Sequence, residues 1–98
     1  MARVDLAAAA VEDLQILART HSLPPDTAAR VARSLRPLER LPLLGPALSG
    51  GWEGLRFVLG PWRWMLLLYA VLEVEDRVVV VTIQDARSST AVTAAARR

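Results

Sequence analysis

Arg56 and Arg63 flank a Gly60-Pro61 dipeptide inside an otherwise apolar run, Leu55-Arg56-Phe57-Val58-Leu59-Gly60-Pro61-Trp62-Arg63-Trp64-Met65-Leu66-Leu67-Leu68-Tyr69. Gly-Pro between two stretches rich in Val, Leu and aromatic residues is a turn signal. An even-length turn predicts a β-hairpin that pairs Leu59 with Trp62, Val58 with Arg63 and Arg56 with Met65. In that register both guanidinium groups leave the same face, as diagonal neighbours roughly 7–8 Å apart. Two fixed cations at such a spacing suit a phosphate or a carboxylate, whose oxygens accept paired N–H bonds.

The rest of the composition narrows the chemistry. All twelve cations are arginine, and the net charge is only +2. So small a charge gives little long-range steering, and affinity for nucleic acid has to come from how the arginines cluster. Without cysteine there is no disulfide framework, thiol nucleophile or cysteine zinc site, and His21 is the one histidine; neither a metal nor another cofactor is expected. The apolar run from Met65 to Leu72 falls well short of the roughly 20 residues that span a bilayer. Met1-Ala2-Arg3 leads to Asp5, Glu12 and Asp13 rather than into a hydrophobic leader, so a cytoplasmic protein with no membrane association is expected. A chain of 98 residues is read as a single domain, 1–98, and at 53% hydrophobic it has more apolar surface than it can easily hide, which predicts a protein partner.

The elements that must position the arginines follow from periodicity. Arg3 to Leu6 reads as a short strand. Ala7 to Arg19 reads as a helix, with Ala10, Leu14, Leu17 and Ala18 at helical spacing. Ser22-Leu23-Pro24-Pro25-Asp26 breaks it and supplies start signals for a second helix, with Asp26 as its cap. In that helix Ala28, Val31, Leu35 and Leu38 share one side, while Arg33, Arg36 and Arg40 share the other with Arg30 at its margin. The arginine stripe is either a solvated face or a supporting RNA-binding surface. Pro37 should end or kink the helix near Arg36. Leu41 to Gly51 reads as an irregular connection whose Leu41, Leu43, Leu44 and Leu48 cover the core.

Three strands complete the chain: Gly54 to Leu59, Trp62 to Leu72, and Arg77 to Gln84, paired as an antiparallel meander with an acidic turn at Glu73-Val74-Glu75-Asp76. In this register Leu55, Phe57, Leu59, Trp62, Trp64, Leu66 and Leu68 face the helices. Arg56, Val58, Arg63, Met65, Leu67 and Tyr69, with Val78, Val80, Thr82 and Gln84, form the opposite, working face. Asp85 to Arg98 reads as a loop carrying Arg87, then a marginal helix. The fold class is therefore α+β, two N-terminal helices on one face of a small twisted antiparallel sheet of three to four strands.

The order and spacing of these segments resemble the RelE/ParE toxins of bacterial type II toxin–antitoxin systems. The resemblance rests on Ala10-x-x-Asp13-Leu14, the 28–41 helix, Pro42 and Gly45, Leu48-Ser49-Gly50-Gly51-Trp52-Glu53-Gly54-Leu55-Arg56, Trp62-Arg63 with Tyr69, and a last strand reaching Arg87. It implies a toxin neutralised by a cognate antitoxin. It also implies one of two activities: RelE-like, metal-independent cleavage of mRNA on the ribosome through the RNA 2′-hydroxyl, or ParE-like inhibition of DNA gyrase. A degenerate toxin that only binds antitoxin is a third reading. The Leu-Ser-Gly-x-Trp-Glu-x-Leu-Arg segment is closer to the ribonuclease branches. For RNA cleavage, Arg56, Arg63 and Arg87 match the family's basic positions and would stabilise charge on the phosphate. Arginine cannot readily give up a proton, so the general base is unassigned. The family's C-terminal Tyr or His is replaced here by Ser88, Ser89 and Thr90, and Glu53 is the nearest substitute. Tyr69 is read as a support of the sheet and His21 as an exposed helix-end residue.

Overall fold

A computed structural model describes residues 1–87. Strand β1 (Arg3–Leu6) is followed by helices α1 (Ala8–Thr20) and α2 (Thr27–Leu35), then by strands β2 (Arg56–Leu59), β3 (Met65–Leu72) and β4 (Arg77–Asp85). The sheet order is β1-β4-β3-β2. The last three strands form the expected antiparallel meander, but β1 pairs with β4 in parallel, so the sheet is mixed. The chain leaves β1 at one edge, crosses one face through both helices and enters β2 at the other edge, a connection long enough for β1 and β4 to run the same way. Among the described residues no helix is long and apolar enough to cross a membrane. The expected terminal helix and Ser88 to Thr90 lie outside the described residues.

α1 turns Ala10 and Leu14 inward and ends at His21, where Ser22 takes a left-handed φ of 51° ahead of the two prolines. α2 buries Thr27, Val31 and Leu35, whereas Ala28 is exposed. The side chain of Asp26 makes no cap bond; it accepts from Arg30 Nε at 3.0 Å, and the Thr27 hydroxyl donates to Pro24 O. A 3₁₀ turn over Arg36–Glu39 follows, as Pro37 requires, and carries Leu38 into the core.

For the strand residues the faces of the sheet are the reverse of those expected, whereas Trp62 and Trp64 pack on the helix side as expected. Met65, Leu67, Tyr69, Val78, Val80 and Ile83 meet Ala10, Val31, Leu35 and Leu38 in the helix-side core. Leu66 and Leu68 form a second cluster on the far side with Leu48, Trp52, Leu55 and Phe57. Residues 65–69 are all buried, so β3 is apolar on both faces and its alternation carries no signal for which side meets the helices. A bulge in β4, where Tyr69 pairs with Val80 but Leu68 with Thr82, breaks the expected Val78-Val80-Thr82-Gln84 series and turns Ile83 inward.

Of the connection's leucines only Leu48 is buried; Leu41, Leu43 and Leu44 are each more than half exposed, contrary to the expectation that they cover the core. The segment runs along the outer edge of β2 instead. Phe57 N–H donates to Pro46 O, Leu48 N–H donates to Leu55 O, and Ala47 bridges Arg56, so the edge strand's polar groups are taken up. At the opposite side, β4 outruns β1 and Asp13 fills the gap: its Oδ2 accepts from the Thr82 hydroxyl at 2.6 Å and from Ile83 N–H at 3.1 Å.

Candidate functional site

The predicted arginine pair does not form. β2 pairs with β3 through Arg56–Tyr69, Phe57–Leu68, Val58–Leu67 and Leu59–Leu66, which puts Tyr69 rather than Met65 opposite Arg56. Gly60-Pro61 opens a wider loop over residues 60–64 instead of a tight turn, closed by Gly60 N–H to Met65 O and Met65 N–H to Trp62 O. Trp62, Arg63 and Trp64 therefore lie in the loop, off the ladder. Arg56, sharing Tyr69's face, is on the helix side of the sheet. It is held there by its Nη1 donating to Gly45 O at 2.7 Å and Leu43 O at 3.3 Å. Tyr69, fully buried, accepts from Gly45 N–H at 2.9 Å, and burial pushes its phenol pKa up; the expected supporting role is what the structure shows.

The chemistry-bearing residues separate toward two ends of the sheet. Glu53, exposed at the end of a short 3₁₀ turn, precedes Arg56 at the entry of β2. Arg63 and Arg87 belong to the other end, about 13 Å along β3 from Tyr69 to Met65. Arg33, Arg36 and Arg40 are exposed along α2 and the turn after it.

At the Arg63 end four segments converge. Asp85 faces Met65 across the ladder, and Ala86 N–H donates to Trp64 O at 2.7 Å, fastening the end of β4 to the loop. Arg87 folds back so that Nε and Nη2 each donate to Asp85 at 3.1 Å, with its guanidinium 4.8 Å from the Trp64 ring centre. His21, at the end of α1, packs against the same indole with ring centres 4.6 Å apart, and its Nε2 lies 3.2 Å from Asp85 Oδ2. Trp62 stacks beside Trp64 at 6.2 Å, and Arg30 of α2 lies 5.9 Å over Trp62. Arg63, between the indoles, is exposed and makes no ion pair among the described residues.

His21 is thus a helix-end residue, as expected, but a half-buried one built into a cluster. Sequence reasoning missed the roles of Trp62, Trp64, Asp85 and Arg30. The available signal was Trp62-Arg63-Trp64 itself, two indoles that reach the helix-side core from a loop with an exposed arginine between them in sequence.

Hydrogen bonds from Arg87 hold the Asp85 carboxyl below the usual aspartate range, against the desolvation of a side chain only 10% exposed, with a lesser charge contribution from His21. A carboxylate depressed in the folded state stabilises the fold above its unfolded pKa, and that contribution is lost as pH falls through the folded value. Acidifying from about pH 7 to about pH 2.5 should therefore lower the urea midpoint further in the unsubstituted chain than in Asp85→Asn. Asp5, depressed mainly by Arg77, and Asp26, depressed mainly by Arg30, titrate in both proteins. Equal acid sensitivity of the two proteins would show that the Asp85 contacts add nothing.

No protein-family model matches the chain, and no curated protein does. Solved structures do. The toxin–antitoxin complex RelBE2 from Mycobacterium tuberculosis aligns with a TM-score of 0.65 and 26% identity, over 86% of this chain and 96% of that one. The intact Escherichia coli RelBE complex aligns with a TM-score of 0.64 at 14% identity, over 88% and 98%. The chromosomal ParDE system of Pseudomonas aeruginosa gives 0.66 at 14%, over 87% and 96%. These likenesses span nearly the full length of each partner and reproduce two helices laid on a four-stranded mixed sheet, the arrangement already expected from the order of segments here. The chain belongs to the RelE/ParE toxin superfamily.

Proposed function

We propose that this chain is the toxin of a type II toxin–antitoxin system and acts as a RelE-like, ribosome-dependent mRNA endonuclease. The observation that supports it is the Trp62–Trp64 pair bracketed by Arg30, Arg63 and Arg87. Indole faces stack unpaired bases, and that contact is the main device for gripping single-stranded RNA. The guanidinium groups of Arg30 and Arg87, which lie over these rings, and that of Arg63 bind the linking phosphates and stabilise charge that builds on phosphorus. Asp85 occupies the Nε and Nη2 edge of Arg87, and among the described residues Nη1 makes no hydrogen bond, so it can take a phosphate oxygen. The exposed stripe of Arg33, Arg36 and Arg40 would extend the contact along the RNA or the ribosome.

The partner is a cognate antitoxin, as in the RelBE and ParDE complexes. Leu41, Leu43 and Leu44 offer it an exposed apolar ridge.

Inducing the chain without antitoxin should stop protein synthesis before DNA replication, with cuts in translated transcripts mapped by primer extension. Growth arrest with intact transcripts and blocked supercoiling by purified DNA gyrase would replace this reading with the ParE-like one. Harmless overexpression would leave only a degenerate toxin that binds antitoxin.

A further inference from the structure

We infer that His21, held by Asp85 against Trp64, is the group that takes the proton from the attacking 2′-hydroxyl. This deepens the RNA-cleavage reading and rests on it. Arginines can stabilise the phosphate but cannot act as the base, and the described alternatives are each disfavoured by position. Glu53 sits toward the other end of the sheet, and Tyr69 is fully buried with its hydroxyl engaged by Gly45. Asp85 has its oxygens turned to Arg87 and His21.

His21 has the geometry of an oriented base. Its Nε2 faces Asp85 Oδ2 at 3.2 Å, which favours the tautomer carrying the proton on Nε2 and leaves the Nδ1 lone pair as acceptor. Its side chain is 29% exposed, so it is neither sealed in the core nor free in solvent. The ring plane is fixed by Trp64, the same indole on which Arg87 lies. RNA whose phosphate is bound by Arg87 at this loop would bring the adjoining ribose to His21.

The step balances without a further reagent. Nδ1 takes the proton from the 2′-hydroxyl, the 2′-oxygen bonds to phosphorus and the bond from phosphorus to the 5′-oxygen breaks. The 5′-oxygen takes a proton from water, and the imidazolium returns its own to solvent. The products are a 2′,3′-cyclic phosphate and a 5′-hydroxyl. Asp85 is a positioning residue here, acting through the imidazole.

The test is single-turnover cleavage of mRNA in the A site of programmed ribosomes. His21→Ala should cut about 100-fold more slowly, the lower end of what a positioned proton acceptor contributes, while binding to the ribosome is unchanged. Added imidazole should restore part of the rate to His21→Ala and none to Arg87→Ala, a rescue that a purely structural role would not give. His21→Gln, which keeps a donor toward Asp85, should melt like the unsubstituted chain and be as slow as His21→Ala. If the unsubstituted chain cuts and His21→Ala or a folded His21→Gln cuts equally fast, the inference is overturned and the RNA-cleavage reading stands. If the unsubstituted chain does not cut, both fall.

Discussion

Alanine at position 45 is expected to lower stability by about 3 kcal/mol, combining overpacking with the loss of buried hydrogen bonds. A Cβ built on Gly45 collides with the Phe57 carbonyl oxygen and comes to 2.8 Å from the Phe57 carbonyl carbon and 2.9 Å from the Tyr69 oxygen. Two of these three atoms are backbone of an edge strand, so no side-chain rotation relieves the overlap. Either the 43–48 segment or β2 must move. Movement breaks Gly45 N–H to Tyr69 and Arg56 to Gly45 O together, because one residue makes both. For a domain of this size the expected loss corresponds to a drop in Tm of roughly 15 °C. Gly51→Ala is the matched control. No atom lies within 4 Å of its added Cβ and its φ is ordinary, so its change should stay within about 0.5 kcal/mol. Urea unfolding of both variants decides the matter, and a Gly45→Ala midpoint equal to that of Gly51→Ala would mean that β2 is not clamped as described.

That clamp explains what could and could not be read from the residues in order. Helical spacing in 7–19 and 26–36, the proline break between them and the runs ending in β3 and β4 are local signals, and each produced an element close to its expected bounds. The layered α+β architecture followed from their order. Register did not, because it depends on how many residues the chain spends in a loop. Gly60-Pro61 reads as a tight turn, yet Trp62 and Trp64 leave the ladder and pack against the helix-side core, His21, Arg30 and Arg87. The choice of face was equally hidden. With Met65 to Tyr69 apolar at every position, either side of β3 satisfies the hydrophobic effect, and the decision came from residues far away in sequence, Leu48 and Trp52 folding over Leu66 and Leu68.

The same remoteness hid the site. Asp85 and Arg87 are two apart and visible as a pair, but His21 reaches them only because α1 ends beside the last residues of β4. Nothing in the spacing of positions 21, 64 and 85 announces it.

The expected contrast between Arg87→Ala and Arg56→Ala follows from this division of the sheet. On the proposed RNA-cleavage reading, Arg87→Ala should reduce ribosome-dependent cleavage about 10²–10³-fold, the scale for losing one preorganised group that meets developing charge. Its stability should fall by only about 1 kcal/mol, since Arg87 is itself 57% exposed even though its loss takes hydrogen bonds from the 10%-exposed Asp85 carboxylate. Arg87→Lys should recover only part of the rate, because an ammonium keeps the charge but lacks the fork that serves Asp85 and a phosphate at once. Arg56→Ala should do the reverse. Losing the donors to Gly45 O and Leu43 O loosens the 43–48 segment by about 1–2 kcal/mol, while cleavage per folded molecule stays near that of the unsubstituted chain. The two variants are best compared at matched folded fraction, with unfolding curves and single-turnover rates taken on the same preparations. If Arg56→Ala, fully folded, lost as much activity as Arg87→Ala, RNA would have to contact the Gly45 end of β2 as well, and the Trp62–Trp64 loop would be only part of the reacting surface. If Arg87→Ala cut RNA at the full rate, charge on the phosphate would have to be met by Arg30 or by Arg63, which is exposed and makes no ion pair among the described residues.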